Sequence, residues 1–98
     1  MKVAWSNKAK VRLREIHDYI AQDSPIRAKQ VVDRLTRRSE RLAFEPRADR
    51  RVPEYHRDDL REVLERPFRL IYVLSPNRIE IVTVKHYRQR LPERPTDI

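Results

Sequence analysis

Apolar residues change their spacing once along this chain, from a period of about 3.6 before Pro46 to a period of about 2 after Asp59. Helices gathered ahead of strands exclude an alternating βαβ architecture and specify the α+β class. In the first part, Lys2-Val3-Ala4-Trp5 reads as a short strand. Ala9, Leu13, Ile16 and Ile20 then form one face of a helix of about sixteen residues, with Ser6 as its N-cap. Ser24 and Pro25 suit the N-cap and first position of a second helix, whose inner face is Ala28, Val31, Val32, Leu35, Ser39 and Leu42. So short a link predicts an antiparallel helix hairpin.

The segment from Pro46 to Asp59 is polar and proline-containing, and reads as a connection. Leu60 to Glu65 alternates, which predicts a strand with one wet face. Phe68 to Leu74 is apolar at nearly every position, which predicts a central strand covered on both faces. Ile79 to His86 alternates again, after a turn at Ser75–Arg78 where Asn77 is the expected left-handed residue. The expectation is an α+β domain of 98 residues, with a helix hairpin packed on a twisted antiparallel β-sheet over residues 60–86. Leu, Ile, Val and Phe make up about a quarter of the chain, enough for a thin core rather than disorder.

Two absences narrow the chemistry. With no cysteine there are no disulfides, thiolate metal sites or cysteine nucleophiles. With no glycine there is no phosphate-cradling loop and no glycine-flanked serine elbow. His17, His56 and His86 lack metal-ligand spacing, so no metal is expected. No stretch has the length and apolarity of a membrane span, and residues 1–25 lack the apolar core of a signal peptide, so a cytoplasmic location is expected.

The charge balance points to an anionic partner. Twenty-three Lys and Arg against 15 Asp and Glu give +8, and 18 of the cations are arginines. Such a surface favours nucleic acid or an acidic protein segment. Arg34, Arg37, Arg38 and Arg41 share one face of the second helix, as a solvated face or a docking face. Lys85, His86, Tyr87, Arg88 and Arg90 crowd the end of the last strand, with Arg61 and Arg69 expected on neighbouring strands. Such groups on one sheet edge would suit holding an RNA backbone, stacking a base and moving a proton. Alternatively, Tyr87 packs and the arginines neutralise Glu62, Glu80 and Glu93. Glu54 and Glu62 stand amid arginines and read as ion-pair partners rather than an acid/base pair.

From Val3 to Pro92 the pieces fall in a familiar order. They are Trp5 with Ala9, Leu13, Ile16 and Tyr19-Ile20; Ala28 and Val32; Leu42, Pro46, Arg50 and Val52-Pro53-Glu54; Leu60-Arg61-Glu62; Phe68-Arg69-Leu70-Ile71-Tyr72; and Val84-Lys85-His86 with Arg88 and Leu91-Pro92. This arrangement resembles the RelE/ParE superfamily of toxins from bacterial type II toxin–antitoxin modules, and its ParE branch most. One position departs from the pattern: Asp49 stands where the family usually has glycine, and aspartate tolerates left-handed backbone better than most residues.

The resemblance implies a toxin that poisons DNA gyrase without chemistry or cofactor of its own and is neutralised by a cognate antitoxin with an acidic C-terminal segment. Operator DNA would be reached only through that antitoxin. Lys85, Arg88 and Arg90 are then the candidate target-binding residues. Arg34, Arg37 and Arg38 are the candidate antitoxin-binding residues, with the groove expected along the outer seam of the helices and the sheet edge. Two alternatives share the fold. One is a RelE-like, ribosome-dependent mRNA endonuclease using Arg61, Arg69, His86 and Tyr87. The other is a decayed toxin that keeps antitoxin binding and promoter co-repression.

Overall fold

In the computed structural model, which describes residues 1–98, the chain runs β1 (Lys2–Trp5), α1 (Asn7–Ala21), α2 (Pro25–Arg41), β2 (Arg50–Arg51), β3 (Leu60–Glu65), β4 (Phe68–Leu74) and β5 (Arg78–His86). A single 3-10 turn at Pro95–Asp97 follows. Both helices start where their serines predict. The Ser6 hydroxyl oxygen accepts from the Ala9 N–H at 3.0 Å, and that of Ser24 from the Arg27 N–H at 3.2 Å. Each bond satisfies one of the orphan donors of a first turn, and Pro25 occupies a position that needs no donor. Helix α2 ends with Arg38 and Arg41 in its last turn, where cations oppose the negative end of the helix dipole.

The strands form one sheet in the order β1-β5-β4-β3-β2. Strands β3, β4 and β5 form the expected antiparallel meander. The sheet as a whole is mixed, because β1 adds to β5 in parallel, Lys2 opposite Arg78 through Trp5 opposite Ile81. A parallel neighbour needs a long crossover, and the helix hairpin lies between these two strands in the chain. At the other edge, β2 pairs antiparallel with β3, so the expected connection contains a two-residue strand.

The main core lies between the hairpin and one face of the sheet. Ala9, Val31, Leu35 and Leu42 meet Val63, Leu70, Tyr72, Ile79, Ile81 and Val84 there. Tyr72 is fully buried, its hydroxyl donates to the Pro46 carbonyl at 2.8 Å, and burial pushes its pKa up to about 12. A smaller cluster covers the opposite face. There Val52, Leu60 and Ile71 are buried, with Tyr55, Val73, Val82, Leu91 and Ile98 packed around them. The Tyr55 hydroxyl donates to the Pro92 carbonyl at 2.6 Å and ties the loop to the C-terminal tail.

Two expectations are corrected. Strand β3 has no wet face along its length: Leu60 and Glu62 are buried as Val63 is, because the loop before β3 folds over that side. Asn77 is not left-handed. Pro76 fixes its own φ, the Ser75 N–H donates to the Arg78 carbonyl at 2.9 Å, and His56 (φ 50°) alone takes positive φ. Asp49 likewise avoids left-handed backbone and uses its carboxylate on Arg38 at 3.3 Å.

Leu35 joins α2 to the sheet and is wholly buried. Leu35→Ala should lower unfolding free energy by about 2–5 kcal/mol, read from the urea midpoint at unchanged slope.

Candidate functional site

Strand β4 is central and buried on both faces, so a charged side chain on it must be met inside the fold. Arg69 is that side chain, 6% exposed. Its Nε donates to Glu62 Oε1 at 2.6 Å, and its two terminal nitrogens make a bidentate pair with Glu54 at 2.8 Å each. Glu62 in turn accepts from Arg50 Nε at 2.6 Å across the β2–β3 pairing, where the two residues are directly opposed. The guanidinium fork matches a carboxylate in a way an ammonium cannot. Its hydrogen bonds hold the Glu54 carboxyl below the ordinary carboxylate value, and the two carboxylates raise Arg69 above its own.

Arg61 is engaged as fully. Its Nε and one terminal nitrogen donate to the carbonyl oxygens of Asp58 (3.0 Å) and Asp49 (2.8 Å), and the other terminal nitrogen to the Asp58 carboxylate at 2.9 Å. Arg61 therefore pins the Asp49–Asp59 loop onto the sheet.

The exit of β5 is built differently. His86 and Tyr87 stack with ring centres 5.0 Å apart at 23°, and Phe68 meets His86 edge-on at 6.1 Å. The Tyr87 N–H donates to the Pro67 carbonyl at 2.8 Å, and the Arg88 N–H donates to His86 Nδ1 at 3.2 Å. Arg88 lies over the Tyr87 ring, 5.6 Å from its centre, and its Nε donates to the Tyr87 hydroxyl oxygen. Lys85 stands opposite Arg69 in the β4–β5 register. Neither Lys85, Arg88 nor Arg90 has a carboxylate partner, and Arg88 and Arg90 are exposed.

Two clefts flank this end of the sheet. One, of about 350 Å³, opens over the ion-pair network, with Arg69 and Tyr87 both on its wall. The other, of about 530 Å³, runs between the hairpin and the sheet, with Ile16, Ile20, Val31 and Val84 as its apolar lining and His86 at its margin. The four residues of the nuclease alternative are thus divided. Arg69 and Tyr87 share one cleft, His86 lines the other, and Arg61 lines neither.

On α2, Arg34 and Arg38 both approach Glu65, at 3.8 and 3.7 Å, and Arg38 also holds Asp49. Of the three candidates there, only Arg37 is exposed and free of a carboxylate. A third cleft, again about 530 Å³, lies along the seam of the helices, walled by Trp5, Leu13 and Val32 with Lys10 and Arg14. Sequence reading passed over Lys8 and Arg12. Their i, i+4 spacing puts them on one face of α1, but what that face meets is a matter of tertiary packing.

Arg69→Met should cost about 3–5 kcal/mol, because it leaves the Glu62 carboxylate buried with Arg50 as its one cation. The depressed Glu54 carboxyl adds a pH signature. Its contribution is complete above the ordinary value of 4.5 and is lost as pH falls through the lower folded-state value. Denaturant titrations from about pH 6 to pH 3 should show that decline in the native protein and a flatter profile in Arg69→Met.

A family model described as the ParE toxin of the type II toxin–antitoxin system parDE matches residues 3–91. Among solved structures, the chain is similar to the chromosomal ParDE toxin–antitoxin system from P. aeruginosa. The TM-score is 0.72 at 23% identity, covering 88% of this chain and 95% of that one, a likeness of fold. No curated protein sequence matches the chain. With the family match extending from β1 past the exit of β5, the chain belongs to the ParE toxin family of type II toxin–antitoxin systems.

Proposed function

We propose that this toxin inhibits DNA gyrase by docking, through the surface at the exit of β5, and that an acidic antitoxin segment neutralises it. The observation that carries the reading is the division of labour among the arginines. Arg61 and Arg69, which a nuclease would need to meet phosphate, spend their donors on carboxylates and carbonyls of the fold. The unpaired cations Lys85, Arg88 and Arg90 gather where the last strand leaves the sheet. Membership of the ParE family supports gyrase as what that surface meets.

The antitoxin side of the reading rests on two features. Family membership implies a cognate antitoxin, and the apolar clefts beside the hairpin are rimmed by arginines, as an acidic amphipathic segment requires. Of the three candidate arginines on α2, Arg37 is the one with no carboxylate partner, while Arg34 lines the cleft between hairpin and sheet. Arg37→Glu should weaken capture of the toxin by its antitoxin in a pull-down by about tenfold or less, since one exposed charge carries about 1 kcal/mol.

A docking surface and a catalytic site respond differently to single substitutions. A general acid or base contributes roughly 10²–10⁴ in rate, whereas one exposed contact in a distributed surface contributes about 1 kcal/mol or less. Tyr87→Phe and His86→Gln should therefore inhibit supercoiling within about fivefold of the parent. Exchange of Lys85, Arg88 and Arg90 together for glutamine should abolish inhibition. The purified proteins would be run in a gyrase supercoiling assay beside a translation assay. Codon-positioned mRNA cleavage that either single substitution removes would overturn the gyrase reading in favour of the endonuclease.

A further inference from the structure

Strand β1 stops at Trp5 opposite Ile81, so β5 has no strand beside it on that side from Val82 onward. The chain turns there into α1. The Ser6 N–H donates to the Ile81 carbonyl at 2.9 Å, and the Ser6 hydroxyl to the Val82 carbonyl at 3.3 Å. These bonds fix the first turns of α1 along the open edge of β5, with Lys8 and Arg12 one helical turn apart on one face. The Lys85 side chain is half-buried at this corner and makes no hydrogen bond or ion pair. Burial, and then the charges of Arg12 and Lys8, hold its ammonium below the ordinary lysine value. Of the five cations Lys8, Arg12, Lys85, Arg88 and Arg90, Arg12 alone has a carboxylate, Glu15 at 3.4 Å. The first turn of α1 carries no acidic residue either.

Cations driven together without an intervening anion raise the energy of the folded state, and a bound anion relieves it. We propose that the Lys8–Arg12–Lys85 corner, continued by Arg88 and Arg90, binds the phosphodiester backbone of duplex DNA. As the place where the toxin would grip the DNA held by gyrase, it rests on the reading given above. An acidic peptide fits the corner less well. Such a segment needs apolar contacts beside its charges. The cleft between hairpin and sheet supplies them beside Arg12, but along residues 85–90 Tyr87 is the one large apolar side chain exposed. A phosphate backbone needs only closely spaced cations.

The test is fluorescence anisotropy of a labelled duplex of about 20 base pairs with the purified toxin alone, between about 50 and 200 mM salt. Five cations engaging phosphates predict a slope of log K against log salt near −4.5. Lys85→Gln and Arg90→Gln should each weaken binding by about three- to tenfold and flatten the slope by about 1. Lys2→Gln removes the same charge opposite Arg78, at the far end of β5, and should leave binding unchanged. The site is overturned if the duplex does not bind at the lowest salt. It is overturned equally if both corner variants match Lys2→Gln, or if polyglutamate displaces the duplex at equal charge concentration. A toxin that inhibits supercoiling but does not bind DNA refutes this site and keeps the gyrase reading. One that binds DNA at this corner but does not inhibit supercoiling does the reverse.

Discussion

Burying β4 on both faces is the constraint from which the rest of this structure follows. Six of its seven residues are buried, and 98 residues supply cover for only one such strand. The helix hairpin covers one face. The opposite face is covered by an irregular loop and the C-terminal tail, which have few apolar side chains to give. Polar bonds complete that cover: Tyr55 to the tail, Arg61 to the loop backbone, and Arg69 to Glu54. The ion-pair network is thus how a thin second core is closed, and desolvation at Arg69 is compensated by two carboxylates rather than one.

The same arrangement sorts the positive charge. Arginines 47, 50, 57, 61 and 69 all stand in ion pairs within or against the loop, so most of the positive charge on that side is neutralised. Only Arg51 and Arg66 stand exposed there without a carboxylate. The excess of +8 is expressed instead on α1, on α2 and at the exit of β5. One composition therefore yields two surfaces: one whose charges are spent on the fold, and one whose charges are open to a partner.

Local rules account for what was legible in the sequence. Serine caps, the helical spacing of Ala28, Val31 and Leu35, and the unbroken apolar run of β4 are short-range signals, and each element formed where they placed it. The misses are long-range. Nothing within Lys2–Trp5 specifies parallel pairing with a strand some 75 residues away, and the burial of Glu62 depends on a loop whose path periodicity does not encode. At the site, the cations at residues 85–90 were visible because they are contiguous. The approach of Lys8 and Arg12 was not, because it is set by where Ser6 bonds to β5. Arg61 and Arg69 were open to two readings from sequence, a ligand outside or carboxylates inside, because residue type does not say which way a strand position faces. The fold engages both with its own carboxylates and carbonyls.

A chain with no glycine has made all its turns with ordinary residues, and only His56 visits the left-handed region. The consequence lies in the denatured chain more than in the folded one. Glycine is the residue with most backbone freedom to lose, and the seven prolines have the least. The denatured ensemble of this toxin is therefore narrower than that of an average chain of equal length, so less disorder must be surrendered on folding. For a protein with so small an interior, part of the thermodynamic margin resides in conformations that the unfolded polypeptide never samples.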